Sequence, residues 1–311
     1  MPKPEFFIIG APKCGTSSLH VYLQKHPQIF LPDKEIAHFA QEYLLPHDKY
    51  YTRESYLSLF AQAPVDRLCG ESSVVYLQSK NAARLIHEFC PTAKLIAMFR
   101  EPARMLHAHH GENTFHGFES LSFQNAIAAE SERRERLNEK EGKIRMYQRL
   151  FYSDVVDYRH QLDRFRSVFS DRQIHLVLFD DFQINTRRAY LETLRFLGCS
   201  VDFIPDFQVV NPSKVPRSKS LARLMGDPPS WLVKLAPSVG IPRRYQTMAY
   251  RYLRRLNRRE QPRPALDPEL RAELNRRFED QILYLEQRFQ RKLDHWPRTT
   301  AAAEKLASVG R

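Results

Sequence analysis

The chain opens on a short apolar run, Phe6-Phe7-Ile8-Ile9, that stops at Gly10. A continuous apolar run of this length, bounded by glycine, reads as a strand buried on both faces. Leu19, Tyr22 and Leu23 then recur at helical spacing up to His26-Pro27, so strand, glycine-bearing loop and helix follow one another. Three further runs read as strands: Arg67 to Glu71, Lys94 to Arg100, and Ile174 to Phe179. After the second of these, Glu101-Pro102 starts a helix with proline at a tolerated first-turn position. Each strand leads into helical periodicity. The pattern therefore predicts an α/β fold: a P-loop-like parallel β-sheet flanked by helices on both faces.

Beyond these strands the pattern is helical. Leu121 to Arg136 reads as a polar helix and Asp154 to Phe169 as an amphipathic one. Tyr190, Leu191, Leu194 and Leu197 share a helical face, with Gly198 placed to cap its end. Asp267-Pro268 opens a long helix carrying Leu270, Leu274, Phe278, Ile282, Leu285 and Phe289 on one stripe. A helical C-terminal part is expected, with residues 1–298 as a single domain and the small, polar stretch 299–311 as a flexible tail.

Charge changes this picture in one place. Lys and Arg total 48 against 36 Asp and Glu, a net charge of +12, which favours anionic ligands. Between Pro212 and Arg263 there are thirteen Lys or Arg and two acids, Asp227 and Glu260. Pro216, Pro228, Pro229, Pro237 and Pro242 break this segment into short pieces, and Trp231, Leu232, Val233 and Leu235 add an apolar patch. Residues 212–263 are expected to form a lid or an acceptor-binding wall. The four cysteines, Cys14, Cys69, Cys90 and Cys199, show neither metal-pair nor disulfide spacing and suit a reducing compartment. The apolar run near the N-terminus is too short for a signal peptide or a membrane span, so the expected location is cytoplasmic.

The chemistry is concentrated in Gly10-Ala11-Pro12-Lys13-Cys14-Gly15-Thr16-Ser17-Ser18, between the first strand and the first helix. Amides at a helix N-terminus point outward with partial positive charge and cradle phosphate. Gly15 allows close backbone approach, Lys13 supplies a mobile point charge, and Thr16, Ser17 and Ser18 offer hydroxyl donors. Gly10, Gly15 and Ser17 keep the spacing of the ATP-binding P-loop, but Thr16 stands where that motif has lysine. The lysine has moved into the loop, which points away from a magnesium–nucleotide site and toward a phosphate ligand handled without metal. Cys14, at the same helix start, is placed where a thiol pKa falls, although a small loop filler is the more ordinary role.

Pro12 to Ser18 resembles the 5′-phosphosulfate loop of sulfotransferases that use 3′-phosphoadenosine 5′-phosphosulfate (PAPS). Lys94-Leu-Ile-Ala-Met-Phe-Arg100-Glu-Pro102-Ala-Arg104 resembles the strand end whose arginine holds the donor's 3′-phosphate. The serine that completes that contact in the family is replaced by Ala108. Gly70-Glu71-Ser72-Ser73-Val-Val-Tyr76-Leu77 is similar to a strand-end motif of bacterial and glycan sulfotransferases. Leu176 to Phe182, continuing to Gly198, is similar to the family's later strand–helix unit. Lys34-Glu35-Ile36-Ala37-His38-Phe39 resembles that branch's Lys-Glu-x-His-Phe-Phe stretch, with one extra residue.

The resemblance implies a sulfotransferase with PAPS as co-substrate and no metal. Lys13 and the amides from Cys14 to Ser18 would face the leaving 5′-phosphate, and Arg100 the 3′-phosphate. Arg217 or Lys214, from the basic segment, is expected to compensate for Ala108. Glu35 is expected as general base, with His38 as the second candidate. A glutamate serves that role best when partial burial raises its pKa. The acceptor is expected to be a small molecule, a glycan or a carrier-bound, lipid-like group, and to be anionic. Peripheral membrane contact fits the basic segment, whereas specific nucleic-acid binding is not expected. Two other readings stay open: a P-loop-type phosphotransferase, and a basic module for nucleic acid or membrane. His107, His109, His110 and His116 with Glu112 lack metalloprotease spacing and read as packing beside a phosphate site. Tyr152 reads as adenine contact or core.

Overall fold

The computed structural model describes residues 2–44, 49–137, 148–208, 210, 214–226, 248 and 252–298. The chain divides into two compact units, one of residues 1–105, 153–211 and 271–311, the other of residues 106–152 and 212–270.

The first unit is built on a five-stranded sheet of β1 (Phe6–Gly10), β2 (Ile29–Phe30), β3 (Leu68–Ser72), β4 (Lys94–Phe99) and β5 (Ile174–Leu178), in the order β2-β3-β1-β4-β5. Every pairing is parallel. All five residues of β1 are buried, which requires cover on both faces of the sheet and explains the unbroken apolar run. The cover includes α1 (Thr16–Gln24), α2 (Arg53–Ser58) and α3 (Ala82–Phe89), with later helices at Tyr158–Arg166, Thr186–Leu197 and Glu279–Phe289. The helix α4 (Pro102–His116) leaves the end of β4.

From β1 the chain runs to β2 and β3 on one side of the sheet. It then returns to place β4 and β5 on the other side of β1. The carboxyl end of β1 is therefore the topological switch point, where an open parallel sheet forms a ligand crevice. This order places the loops after β1, β2, β3, β4 and β5 along one edge.

Several boundaries differ from the sequence pattern, each for a local reason. The strand at residue 174 ends at Leu178, because Phe179 already begins a helix, Phe179–Ile184. The two-residue β2 was too short for periodicity to reveal. The expected helix from Leu121 to Arg136 is two helices, Phe123–Ala128 and Glu130–Leu137. That from Asp154 to Phe169 is likewise two, Tyr152–Val155 and Tyr158–Arg166. The long C-terminal stripe breaks at Phe278, whose backbone leaves helical geometry (φ −110°, ψ 29°) while its ring stays buried. The result is Pro268–Arg277 followed by Glu279–Phe289. Gly198 caps Thr186–Leu197 in the left-handed region, as its position suggested.

The second unit contains most of α4 and an antiparallel pair, β6 (Lys214–Pro216) with β7 (Arg258–Glu260), beside the helix Lys219–Gly226. Gly117 lies under this helix, where a Cβ would fall 1.9 Å from the Ala222 carbonyl oxygen. Trp231, Leu232, Val233, Leu235 and the tail 299–311 lie outside the described residues.

Candidate functional site

The loop after β1 begins at Gly10, where a Cβ would meet Leu77 Cβ at 2.8 Å and the Val74 carbonyl oxygen at 2.9 Å. Lys13 lies in the left-handed region at φ 60°, and Gly15 follows at φ 89° as the residue before α1. A Cβ on Gly15 would sit 2.9 Å from the Phe179 ring, so close packing as well as backbone conformation selects glycine here. Among the first residues of α1 there is no acidic side chain to occupy the helix N-terminus. The Cys14 thiol is buried, donates to the Pro12 carbonyl at 3.3 Å, and is pushed up to about 12 by burial. The lowered thiol pKa expected from its helix-start position is thus overridden by desolvation, and Cys14 fills the loop as an inert thiol.

The loop after β2 closes one side of this cradle. Lys34 Nζ donates to Thr16 Oγ1 at 3.3 Å and Ser17 Oγ at 3.1 Å, and pairs with Glu35 Oε1 at 3.4 Å. Burial lowers the Lys34 pKa, and the Glu35 charge opposes that shift. Glu35 has φ 62°, and its amide donates to the Ser72 carbonyl at the end of β3. Its Oε2 accepts from the Val74 amide at 3.1 Å. The Glu35 side chain is 45% exposed, so the burial expected of it is absent and its carboxylate is open to solvent.

The loop after β4 supplies Arg100. Its Nη1 donates to the Lys13 carbonyl at 3.2 Å, its guanidinium lies 4.5 Å from the centre of the Phe179 ring, and Tyr158 Oη donates to its carbonyl at 3.0 Å. Nε of Arg100 is buried without a partner. A buried guanidinium N–H left unmatched is costly, and an acceptor oxygen, that of an anionic ligand included, relieves it. Burial also lowers the Arg100 pKa, which Asp180 counteracts. Asp180, just past β5, accepts from Trp296 Nε1 at 2.6 Å, which ties the segment after the helix Glu279–Phe289 to the same edge.

Lys13, Gly15, Thr16, Ser17, Lys34, Glu35 and Arg100 thus converge at the switch point. Pro12 and Ser18 belong to the same loop and helix start. Lys34 is the residue here to which sequence reasoning gave no role, since its contacts with Thr16 and Ser17 cross from one βα loop to another. His38 points elsewhere: its ring stacks on Tyr56 at 4.2 Å, its Nδ1 bonds the Tyr51 carbonyl at 3.1 Å, and burial lowers its pKa.

Arg217 belongs to the second unit, where its Nε donates to the Arg258 carbonyl at 3.1 Å. Lys214 begins β6 there. Ala108 is buried within α4. Of the histidines in that unit, His109 bonds the Arg149 carbonyl and His110 the Leu121 carbonyl, while His116 meets Glu112 and Arg254. Tyr152 is fully buried and donates to Glu119, which makes it a core residue.

A sulfotransferase from Alicyclobacillus acidocaldarius has a solved structure that superposes on this chain with a TM-score of 0.67 and 25% identity. The match covers 95% of this chain and 99% of that one. In fold this chain is similar to that sulfotransferase over nearly its whole length. No family model matches it. Two curated sulfotransferases share shorter regions. The membrane-associated sulfotransferase kil1 of Dictyostelium discoideum is 36% identical over 110 residues, 34% of this chain and 22% of kil1. The bifunctional heparan sulfate N-deacetylase/N-sulfotransferase of Drosophila melanogaster is 20% identical over 211 residues, 62% of this chain and 19% of that protein. The matched region thus spans about a fifth of the length of either curated relative.

Proposed function

We propose that this protein transfers a sulfuryl group from PAPS to an acceptor hydroxyl. The observation that carries the reading is the cradle at the end of β1. There Lys13, the N-terminus of α1, the Thr16 and Ser17 hydroxyls and the buried, unmatched Arg100 Nε gather past the carboxyl ends of β1 and β4. Such a donor set suits a nucleotide with separated phosphates. In the proposed step the sulfur–oxygen bond to the 5′-phosphate breaks as the acceptor oxygen bonds to sulfur. The acceptor proton passes to the Glu35 carboxylate, and 3′,5′-adenosine bisphosphate leaves. Lys13 and the α1 amides stabilise the charge that grows on the leaving phosphate, as oriented donors do in phosphoryl transfer. Lys34, bonded to both loop hydroxyls and to Glu35, holds base and cradle in one register.

Arg100 is assigned to the 3′-phosphate. Glu35 is favoured over His38 because its carboxylate is exposed beside Lys34, whereas the imidazole is stacked and bonded away from it. The acceptor is proposed to be anionic or carried on an amphipathic group. Lys214, Arg217, Lys219, Arg254, Arg255, Arg258 and Arg259 crowd the described parts of residues 212–263, where Leu224, Tyr252, Leu253 and Leu256 are exposed. The same surface suits peripheral contact with an anionic membrane. No helix among the described residues is long and apolar enough to cross a membrane. The four free cysteines support a cytoplasmic location.

The test is turnover with labelled PAPS and a panel of hydroxylated acceptors. Lys13→Ala is expected to lower turnover at least about a hundredfold. Transfer at the parent rate by that variant, or phosphate transfer from magnesium ATP by the parent, would reject the reading.

A further inference from the structure

Beneath the Glu35 loop lies a fully buried carboxylate. Glu71, in β3, is 0% exposed and accepts from three hydroxyls: Tyr56 at 2.7 Å, Ser73 at 2.6 Å, and Tyr76 at 2.7 Å to both of its oxygens. Two of these hydroxyls also face the loop. The Ala37 amide donates to Ser73 Oγ at 2.9 Å, and the Phe39 amide to Tyr76 Oη at 3.5 Å. The third, Tyr56, carries the ring on which His38 stacks. The segment held this way contains two non-glycine residues in the left-handed region, Glu35 (φ 62°) and Ala37 (φ 53°). Such conformations persist only where the surroundings over-determine them.

A carboxylate accepts hydrogen bonds and cannot donate them, whereas a hydroxyl does both. With Glu71 ionised, the Ser73 and Tyr76 protons must point inward to the carboxylate. Their lone pairs then face outward to receive the Ala37 and Phe39 amides. A donor at position 71 removes this constraint, because a hydroxyl that accepts from position 71 no longer has to point its proton inward. We propose that Glu71 is a positioning residue for Glu35: its carboxylate fixes the direction of the Ser73 and Tyr76 hydroxyls and so holds the 35–39 loop in the conformation that presents the base. The inference rests on Glu35 acting as the base.

Burial pushes the Glu71 carboxyl up to about 7, against the three hydroxyl donors that pull it down, and Glu35 adds to the rise. The titratable groups facing it are Tyr56 from α2, Tyr76 from the turn after β3, and Glu35 across the loop, with His38 behind Tyr56. A protonated Glu71 carries such a donor, so the order of the hydroxyls depends on the charge of this carboxyl.

The experiment compares Glu71→Gln, Ser73→Ala and Glu35→Gln in the full chain. It reads kcat with saturating acceptor, calorimetric affinity for 3′,5′-adenosine bisphosphate, and Tm. Glu71→Gln is expected to lower kcat about tenfold to a hundredfold, the scale of a misplaced catalytic group, with nucleotide affinity within about twofold of the parent. Ser73→Ala, which cuts the link to the Ala37 amide, is expected to lower kcat in the same way. A parent-like kcat in either folded variant overturns the proposal, as does a loss of nucleotide affinity that matches the loss in kcat. If Glu71→Gln does not fold, Ser73→Ala decides alone. Glu35→Gln separates the two claims: its full activity would reject the base assignment itself, whereas an inactive Glu35→Gln beside a fully active Glu71→Gln would reject only the positioning role.

Discussion

Arg100 sits in an environment far from that of a solvated arginine. Its Nη1 is used on the Lys13 carbonyl, its face on Phe179, and its Nε on nothing within the described structure. Arg100→Ala should weaken 3′,5′-adenosine bisphosphate by about 1.5–3 kcal/mol, the worth of a charge-assisted contact. Adenosine 5′-phosphate should lose much less. Calorimetry on both nucleotides checks this, and an equal loss for the two would remove Arg100 from the 3′-phosphate. At this scale the sequence was readable where a contact is local. Lys13, Gly15 and the hydroxyls that follow announce themselves by spacing within nine residues. Glu71 and Lys34 did not, because their meaning lies in partners 15–18 residues away, on another element. Cys14 reads as a small loop filler from its position and is buried, and a helix start lowers a thiol pKa only when water or charge reaches the thiol, which here does not outweigh burial.

The elements that position the site are tied together by buried polar contacts as well as by the sheet. Glu101, at the entry to α4, is 1% exposed and receives Arg271 through two bonds of 2.6 and 2.7 Å, with Asn275 Nδ2 at 2.8 Å. Asn275 also accepts from the Ala103 amide in the first turn of α4. The helix Pro268–Arg277 thereby holds the segment that follows Arg100. Removing one partner of a buried pair strands the other charge. Arg271→Ala should therefore cost about 2–4 kcal/mol, toward the lower end because Arg104 remains near Glu101. Thermal unfolding checks this, and an unchanged Tm would show the pair to be idle. The main strands were legible because a doubly covered sheet demands unbroken apolar runs. Helix breaks were not: Phe278 keeps the apolar stripe while its backbone turns, so periodicity runs through the break. Close approach is also invisible to pattern, as at Gly70, where a Cβ would lie 2.2 Å from the Phe6 ring.

For the whole molecule, one sheet edge gathers what five separate loops contribute, and strand order decides which edge that is. The sequence supplied the loops and the parallel class, but the order β2-β3-β1-β4-β5 comes from pairing between distant strands. The excess of positive charge lies mostly in residues 212–263, and the described parts carry it on β6, β7 and the helix Lys219–Gly226. That charge is proposed to serve the acceptor, and the β1 cradle the donor. The central claim is that the β1 cradle binds a 3′-phosphorylated adenine nucleotide without a metal ion. Its most direct test is calorimetric titration of the full chain with 3′,5′-adenosine bisphosphate in the presence of a chelator, beside ATP with magnesium. Tight binding of the bisphosphate under chelation, with weak binding of magnesium ATP, is the predicted result. Tight, magnesium-dependent ATP binding, with no heat from the bisphosphate, would contradict it.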